Sequence, residues 1–129
     1  MHMKKKKERR FKVSLTRDQN YRFVSQASED ERLHGEPYSS DEPDPVGDAS
    51  GPATPALLGS AIGHCLSASL LERLLNAKAD VIDFKTDAVA VVKRNEDGFP
   101  RIERVDVVLR PTIRKKTPAV DRGAETFEK

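Results

Sequence analysis

Apolar and polar residues alternate near the start of the chain. Phe11, Val13 and Leu15 alternate with polar residues, which is the pattern of a β-strand with one apolar face. A polar turn is expected at 17–20, where Asp and Asn favour chain reversal, and a second strand over 21–27. Together these segments predict an antiparallel hairpin.

The most apolar segment of the chain begins at Thr54 and Pro55. This pair is typical of a helix start, because Thr caps free N–H groups and Pro fits the first helical position. Apolar residues then fall on nearly every side for four turns, which predicts a central, buried helix that ends near 76–79.

A small-residue face runs along this helix, since Gly59, Gly63 and Ser67 lie four positions apart. Such a face lets another backbone approach closely. A helix that is apolar all round finds too few partners in a chain of 129 residues. We therefore expect a homodimer, in which a second copy contacts this face.

Two further strands are expected over 81–93 and 102–110, joined by a turn at 95–98 and weakened at their end by Pro111. A second helix is expected over 117–127, again after a Thr-Pro pair. The resulting order, β-β-loop-α-β-β-α, is typical of an α+β domain.

The domain boundaries follow from composition. Residues 1–10 are polar and basic and are expected to form a disordered arm. We expect residues 11–129 to form a single domain that lacks its C-terminal part, because the predicted helix over 117–127 stops in mid-pattern. Residues 28–53 form a long loop rich in Pro and acidic residues, with a short strand at 36–39.

Composition narrows the classes of protein. The chain has 36% hydrophobic residues and no Trp, so the core is aliphatic. The N-terminus lacks the apolar region of a secretory signal, and no uninterrupted apolar run reaches the length of a membrane span. A single Cys excludes an intramolecular disulfide framework. We expect a cytoplasmic protein without a membrane partner.

Charge is distributed unevenly. The segment 1–17 is strongly basic, with Lys at every position from Lys4 to Lys7, whereas 26–53 is strongly acidic. A basic arm is compatible with nucleic-acid binding. No aromatic residue precedes Phe11 to stack on a base, so a solvated terminus is the favoured interpretation and a nucleic-acid partner is not expected.

Few residues offer chemistry. The chain has no phosphate-binding glycine motif and no spacing of His or Cys typical of a metal site, so neither a cofactor nor a metal is expected. Cys65 stands out, about three turns into the long helix. It is either a buried packing residue or a thiol that a nearby cation activates. The candidate cations are Arg17, Arg22 and Arg73.

The segment from Gly51 to Cys65 (GPATPALLGSAIGHC) resembles the central motif of the OsmC/Ohr superfamily, which runs roughly G-P-x-P-x-E-L-L-x-A-x-G-x-C. The Asp-Glu-Pro at 41–43 resembles the loop that leads into that motif, and the hairpin over 81–109 resembles the one that follows it. The resemblance covers most of 11–129, as a divergent or C-terminally truncated member.

The resemblance implies an intertwined homodimer with antiparallel sheets wrapped around long central helices. It also implies a stress-response thiol peroxidase that reduces organic hydroperoxides. Cys65 matches the peroxidatic cysteine. The family's activating arginine has no counterpart in the motif, and Arg22, on the N-terminal hairpin, is the candidate by position alone. The motif's glutamate is replaced by Ala56, and the second, resolving cysteine is missing. The resemblance therefore implies an external thiol reductant.

Two functions of different classes follow. The first is thiol-dependent reduction of organic hydroperoxides through Cys65. The second is a non-catalytic binding module with an OsmC-like fold, which takes an apolar ligand or a partner protein. The replaced glutamate and the missing cysteine favour the second function, whereas the match at Cys65 favours the first.

Overall fold

A computed structural model of the protein describes residues 8–114. The basic segment 1–7 and the predicted second helix over 117–127 lie outside these described residues. The chain divides into two compact units, which follow each other in sequence between Thr54 and Pro55. The single domain expected over 11–129 stays a prediction.

The first unit is an antiparallel sheet of four strands. They are β1 (Phe11–Gln19), β2 (Arg22–Glu29), β3 (Arg32–Leu33) and β4 (Tyr38–Ser40). Strand β2 is central, because it pairs with β1 along its whole length and with both short strands on its other side. The predicted hairpin is confirmed, and the predicted short strand lies near its expected place.

The turn of this hairpin lies later than predicted. Strand β1 continues through the residues assigned to the turn, and the reversal occurs at Asn20 and Tyr21. Asn20 adopts a left-handed conformation with φ of 50°, which Asn tolerates better than most residues. The Arg17 guanidinium donates a hydrogen bond from Nε to the Asn20 carbonyl at 2.8 Å and so closes the turn.

The second unit consists of one helix and one long hairpin. Helix α1 spans Thr54–Asn76, and strands β5 (Val81–Arg94) and β6 (Pro100–Ile113) pair antiparallel. The predicted helix bounds are confirmed. Strand β6 continues past Pro111, contrary to the prediction, and Pro111 lies opposite Phe84. In a two-stranded sheet both strands are edges, so a missing N–H can face away from the partner.

The core of this unit is small. Leu70, Leu74 and Ala79 are buried in it, and partly buried residues of both strands pack around them, among them Phe84 and Leu109. Within one chain α1 is not buried on all sides, and the predicted burial of its other sides depends on the predicted dimer. Only one side of α1 faces the hairpin, so residues on its other sides stay accessible.

The small-residue face of α1 packs against strand β5. A Cβ added at Gly63 would lie 3.3 Å from the Ala88 Cβ, and one added at Gly59 would lie 3.7 Å from it. On the same face, the Ser67 Oγ lies 2.5 Å from the Thr86 Oγ1. The close neighbour of this face is therefore the chain's own hairpin. The sequence analysis had predicted a second copy of the chain at this place.

Helix α1 is long enough and apolar enough, on average, to cross a membrane. The criterion of mean hydropathy differs from that of an uninterrupted apolar run, which polar residues such as Ser60 and His64 break. Core helices of soluble proteins meet the same criterion, and α1 carries two of the buried core residues of its unit, Leu70 and Leu74.

Candidate functional site

Cys65 lies in the middle of α1 and is exposed. Successive helix residues are about 100° apart around the axis, so a residue two positions after Gly63 points about 200° away from it. Because Gly63 faces strand β5, Cys65 lies on the side of the helix away from the hairpin. The interpretation of Cys65 as a buried packing residue does not fit this position within the chain.

The helix itself gives Cys65 little electrostatic help. Cys65 lies eleven positions after Thr54, the first residue of α1, and the favourable field of a helix N-terminus fades within its first turn. Arg73 lies eight residues further on, which is about 12 Å along the helix axis. An ion pair between Arg73 and Cys65 on the same helix is therefore out of reach.

His64 belongs to a different surface from Cys65. It lines a groove of about 600 Å³ beside α1, whose floor includes Thr86 and Ala88 of β5. Within the described residues, Cys65 is not part of this lining. Adjacent residues of a helix point in different directions, and the positions of His64 and Cys65 agree with this rule. His64 is therefore not placed as a base for the thiol.

The groove is made mostly of small and apolar side chains. Its helix side carries Gly59, Gly63 and Leu71, and Phe84 lines it from the sheet. Hydroxyl groups of serine and threonine residues interrupt this apolar lining. Its composition suits a small apolar molecule with few polar atoms.

Arg22 lies on β2 in the first unit, with its side chain about one-third exposed. Its Nη2 donates a hydrogen bond to the Ser39 Oγ at 3.1 Å, and its Nε lies 3.4 Å from the Asp18 Oδ2. The Arg17 Nε donates a hydrogen bond to the carbonyl oxygen of Asn20 in the turn. Cys65 belongs to the second unit, so the pairing of Arg22 with Cys65 stays a prediction.

The contacts of Arg22 with Asp18 and Ser39 were not foreseen from the sequence. The sequence placed Asp18 in a turn, which hid its position opposite β2. A signal was present in the spacing, since Asp18 and Arg22 flank the hairpin turn almost symmetrically. Among residues 8–114, no group of three His, Cys, Asp or Glu side chains is placed to hold a metal ion.

Solved structures with the same architecture come from several bacteria. An OsmC-like protein of unknown function from Vibrio cholerae matches with a TM-score of 0.66 and 13% identity, over 95% of this chain and 85% of the other. An OsmC-like protein from Mycoplasma pneumoniae matches with a TM-score of 0.64 and 14% identity, over 95% and 81%. The chain has the fold of the OsmC/Ohr superfamily.

A third match carries a more specific name. An organic hydroperoxide resistance protein, OsmC, from Legionella pneumophila matches with a TM-score of 0.57 and 10% identity, over 92% of this chain and 84% of the other. No family model matches the chain, and no curated protein matches it in sequence. At these identities the OsmC-like fold is common to all of them, and the chemistry has to be argued from the residues.

Proposed function

We propose that this OsmC-fold protein is a thiol-dependent peroxidase that reduces organic hydroperoxides through Cys65. The observation that carries the proposal is the position of Cys65, exposed in the middle of α1 and directed away from the hairpin. A thiol that is to meet a peroxide must be accessible, because the peroxide oxygen has to reach the sulfur in line with its O–O bond.

The reaction that we propose begins with the Cys65 thiolate. Its sulfur attacks the terminal oxygen of the hydroperoxide, the O–O bond breaks, and the alcohol leaves after it takes up a proton. The peroxide is reduced by two electrons, and Cys65 becomes a sulfenic acid. The thiolate is the reactive form of a cysteine, so the proposed reaction proceeds through the ionised sulfur of Cys65.

The second half of the cycle requires an external thiol, because the chain has one cysteine. A first thiol attacks the sulfur of the sulfenic acid, which releases water and forms a mixed disulfide. A second thiol then attacks the mixed disulfide and restores Cys65. One hydroperoxide and two thiols give one alcohol, one water and one disulfide.

Arg22 is our candidate for the cation that stabilises the thiolate. A guanidinium stays charged at all relevant pH values and presents its donors in a fixed plane, which suits both a thiolate and a peroxide oxygen. Its side chain is partly buried and held by contacts within the first unit. The proposal includes this role for Arg22. It also includes a cytosolic location, because the reducing conditions of the cytosol suit a free thiol.

A homodimer is the assembly that we propose for this protein. One face of the β1–β2 ladder, here called the apolar ladder face, carries Phe11, Val13, Leu15 and Phe23, and all four are exposed. Alternating residues of a strand and their cross-strand neighbours share one face, so these four side chains lie on the same side of the ladder. Exposed apolar surfaces of this kind mark sites of association, and a second copy of the chain would cover this one.

The test uses intact-protein mass spectrometry after a brief exposure to cumene hydroperoxide in the presence of dimedone, which traps sulfenic acids. We expect rapid addition of one dimedone to the wild-type chain and none to Cys65→Ser. A denatured sample serves as the control for an unactivated thiol. A folded chain that reacts no faster than the denatured one would contradict the proposal.

The groove beside α1 favours a second function, a binding module for an apolar ligand. It is lined mainly by small residues and by Leu71 and Phe84, and it does not include Cys65. Titration with a medium-chain fatty acid, followed by calorimetry, tests this function. Saturable binding that Ala68→Leu weakens, together with an inert Cys65, would favour the module over the peroxidase.

A further inference from the structure

The polar groups of the groove beside α1 lie at two levels. Ser67 and Thr86 are half-buried on its floor, whereas Ser60 and His64 are exposed at its rim. Among the described residues that line the groove, none carries a carboxylate, an ammonium or a guanidinium group. A ligand in the groove therefore meets two hydroxyl groups on the floor and no ionic partner there.

The hydrogen of each floor hydroxyl is already in use. The Ser67 hydroxyl donates to the Gly63 carbonyl oxygen at 2.7 Å, one turn earlier on the helix. A serine hydroxyl has a single hydrogen, so the contact of 2.5 Å between the Ser67 Oγ and the Thr86 Oγ1 is a bond that Thr86 donates. Two hydrogen bonds thus run in one direction, from Thr86 to Ser67 and from Ser67 to the helix backbone.

The Thr86 hydroxyl is left with the capacity to accept. Its oxygen has two lone pairs, and no donor to this oxygen lies among the described residues. A ligand that brings an O–H group can donate to it and extend the chain of hydrogen bonds. A carboxylate would instead place its own lone pairs against those of Thr86, which is costly in a partly buried site.

One end of the groove suits a short alkyl chain. Helix α1 and β5 run in opposite directions along it, because Ala88 faces earlier helix residues than Thr86 does. Leu71 therefore lies at the same end as Phe84, and both line the groove. Leu71 follows Ser67 by four helix residues and Phe84 precedes Thr86 by two strand residues, which is about 6 Å along either element.

From this arrangement we propose that the groove binds a neutral, short-chain molecule with a hydrogen-bond donor at one end, such as a primary alcohol. The donor group binds the Thr86 Oγ1, and the alkyl chain lies along Leu71 and Phe84. The inference rests on the second function proposed above, the binding module, and it names the class of ligand. It does not depend on Cys65, which is not part of the lining.

The experiment compares two ligands of equal chain length, 1-hexanol and hexanoate, by chemical-shift titration of the full chain. The alcohol supplies a donor, whereas the carboxylate supplies acceptors only. The titrations are made at pH 8.5, because histidine becomes a cation in acidic solution and a charged rim would attract the carboxylate. We expect 1-hexanol to bind about three- to tenfold more tightly than hexanoate, which is the usual effect of one hydrogen bond.

The variant Ser67→Ala changes the direction of hydrogen bonding on the floor. It removes the acceptor of the Thr86 hydrogen, so the Thr86 hydroxyl can donate to a carboxylate. We expect this variant to bind hexanoate about three- to tenfold more tightly than wild type, with little change for 1-hexanol. Ser60→Ala is the matched control, because it makes the same change at the rim of the same groove, and it should keep the wild-type preference.

Two results would overturn the inference and leave the binding module standing. One is hexanoate that binds wild type as tightly as 1-hexanol. The other is a Ser67→Ala variant that keeps the wild-type preference, since a merely structural role of Ser67 would change both affinities together.

Failure of the binding module gives a different result, in which neither ligand shifts the resonances of the groove, and the inference fails with it. A dimer that Ala68→Leu dissociates would identify a second copy of the chain as the occupant of the groove and would also overturn the inference.

Discussion

At the scale of single residues, Asp41 organises the loop that precedes the helix. Its side chain is buried and accepts hydrogen bonds from the hydroxyl and the backbone N–H of Ser50, and from the N–H groups of Glu42 and Asp48. The Ser50 hydroxyl, at 2.6 Å, is the largest of the causes that hold the pKa of Asp41 below its ordinary value. These bonds need the ionised form of the carboxylate.

The pH dependence of stability tests this role of Asp41. Because its pKa is lower in the folded chain, Asp41 contributes stability that is present above the ordinary pKa of 3.8 and is lost as pH falls through the folded value. We expect the urea midpoint of wild type to fall in this acidic range more than that of Asp41→Asn. The two curves are compared between pH 2 and 7, and parallel curves would contradict the assignment.

A similar arrangement on the surface serves as a contrast. The Arg9 guanidinium donates hydrogen bonds to the Glu29 carboxylate, which lowers the pKa of Glu29 and raises that of Arg9. The Arg9 side chain is 60% exposed, so the pair contributes little to stability.

At the scale of elements, the contact of α1 with β5 depends on glycine. At Gly63 an added methyl group would meet the Ala88 Cβ at 3.3 Å and the Thr86 Cγ2 at 3.5 Å. Gly59 leaves slightly more room, with 3.7 Å to the Ala88 Cβ. The Ser67 hydroxyl adds a polar link, because it lies within hydrogen-bonding distance of the Thr86 hydroxyl.

Substitutions at the two glycines should have opposite effects on stability. Gly59→Ala should raise the free energy of unfolding by about 0.5–1 kcal/mol, since Ala favours the helix and an ordinary contact is available. Gly63→Leu should lower it by about 1–3 kcal/mol, because the larger side chain overpacks the contact with Ala88. Urea denaturation measures both, and a neutral Gly63→Leu would show that the helix does not pack on β5 in this way.

At the scale of the whole molecule, few large apolar side chains are buried within one chain. In the described part, Leu70 and Leu74 are the large members of the buried core, and many others are exposed, including Phe11 at 59% and Leu15 at 57%. Burial of apolar surface is the main term that offsets the loss of chain entropy on folding. A second copy would supply the burial that one chain lacks.

Self-association can be tested on the apolar ladder face. We expect sedimentation to give about twice the 14.4 kDa mass of one chain, and Leu15→Lys to shift the population toward the monomer. Thr16→Lys, on the opposite face of the same strand, is the control, because it adds the same charge without touching the apolar surface. A wild-type monomer at micromolar concentration would contradict the dimer.

The sequence by itself determined the elements that local rules govern. The Thr-Pro cap set the start of α1, the alternation of apolar residues indicated the strands, and the turn at 95–98 joined the second hairpin. These features depend on neighbours in the chain, so they could be predicted without a partner element. The resemblance of the segment ending at Cys65 pointed to the fold that the solved structures confirm.

Only the tertiary structure decided which faces of these elements are covered. It placed Gly63 against Ala88, left Cys65 exposed, and brought Asp18 and Ser39 to Arg22. None of these contacts could be predicted from the periodicity of apolar residues. That periodicity shows which residues share a face of one element, but not which residues of another element contact them. The β-bulge in β1 at Asp18 shows the reason most plainly, since one extra residue in a strand changes which side chains meet, while the pattern of the sequence stays the same.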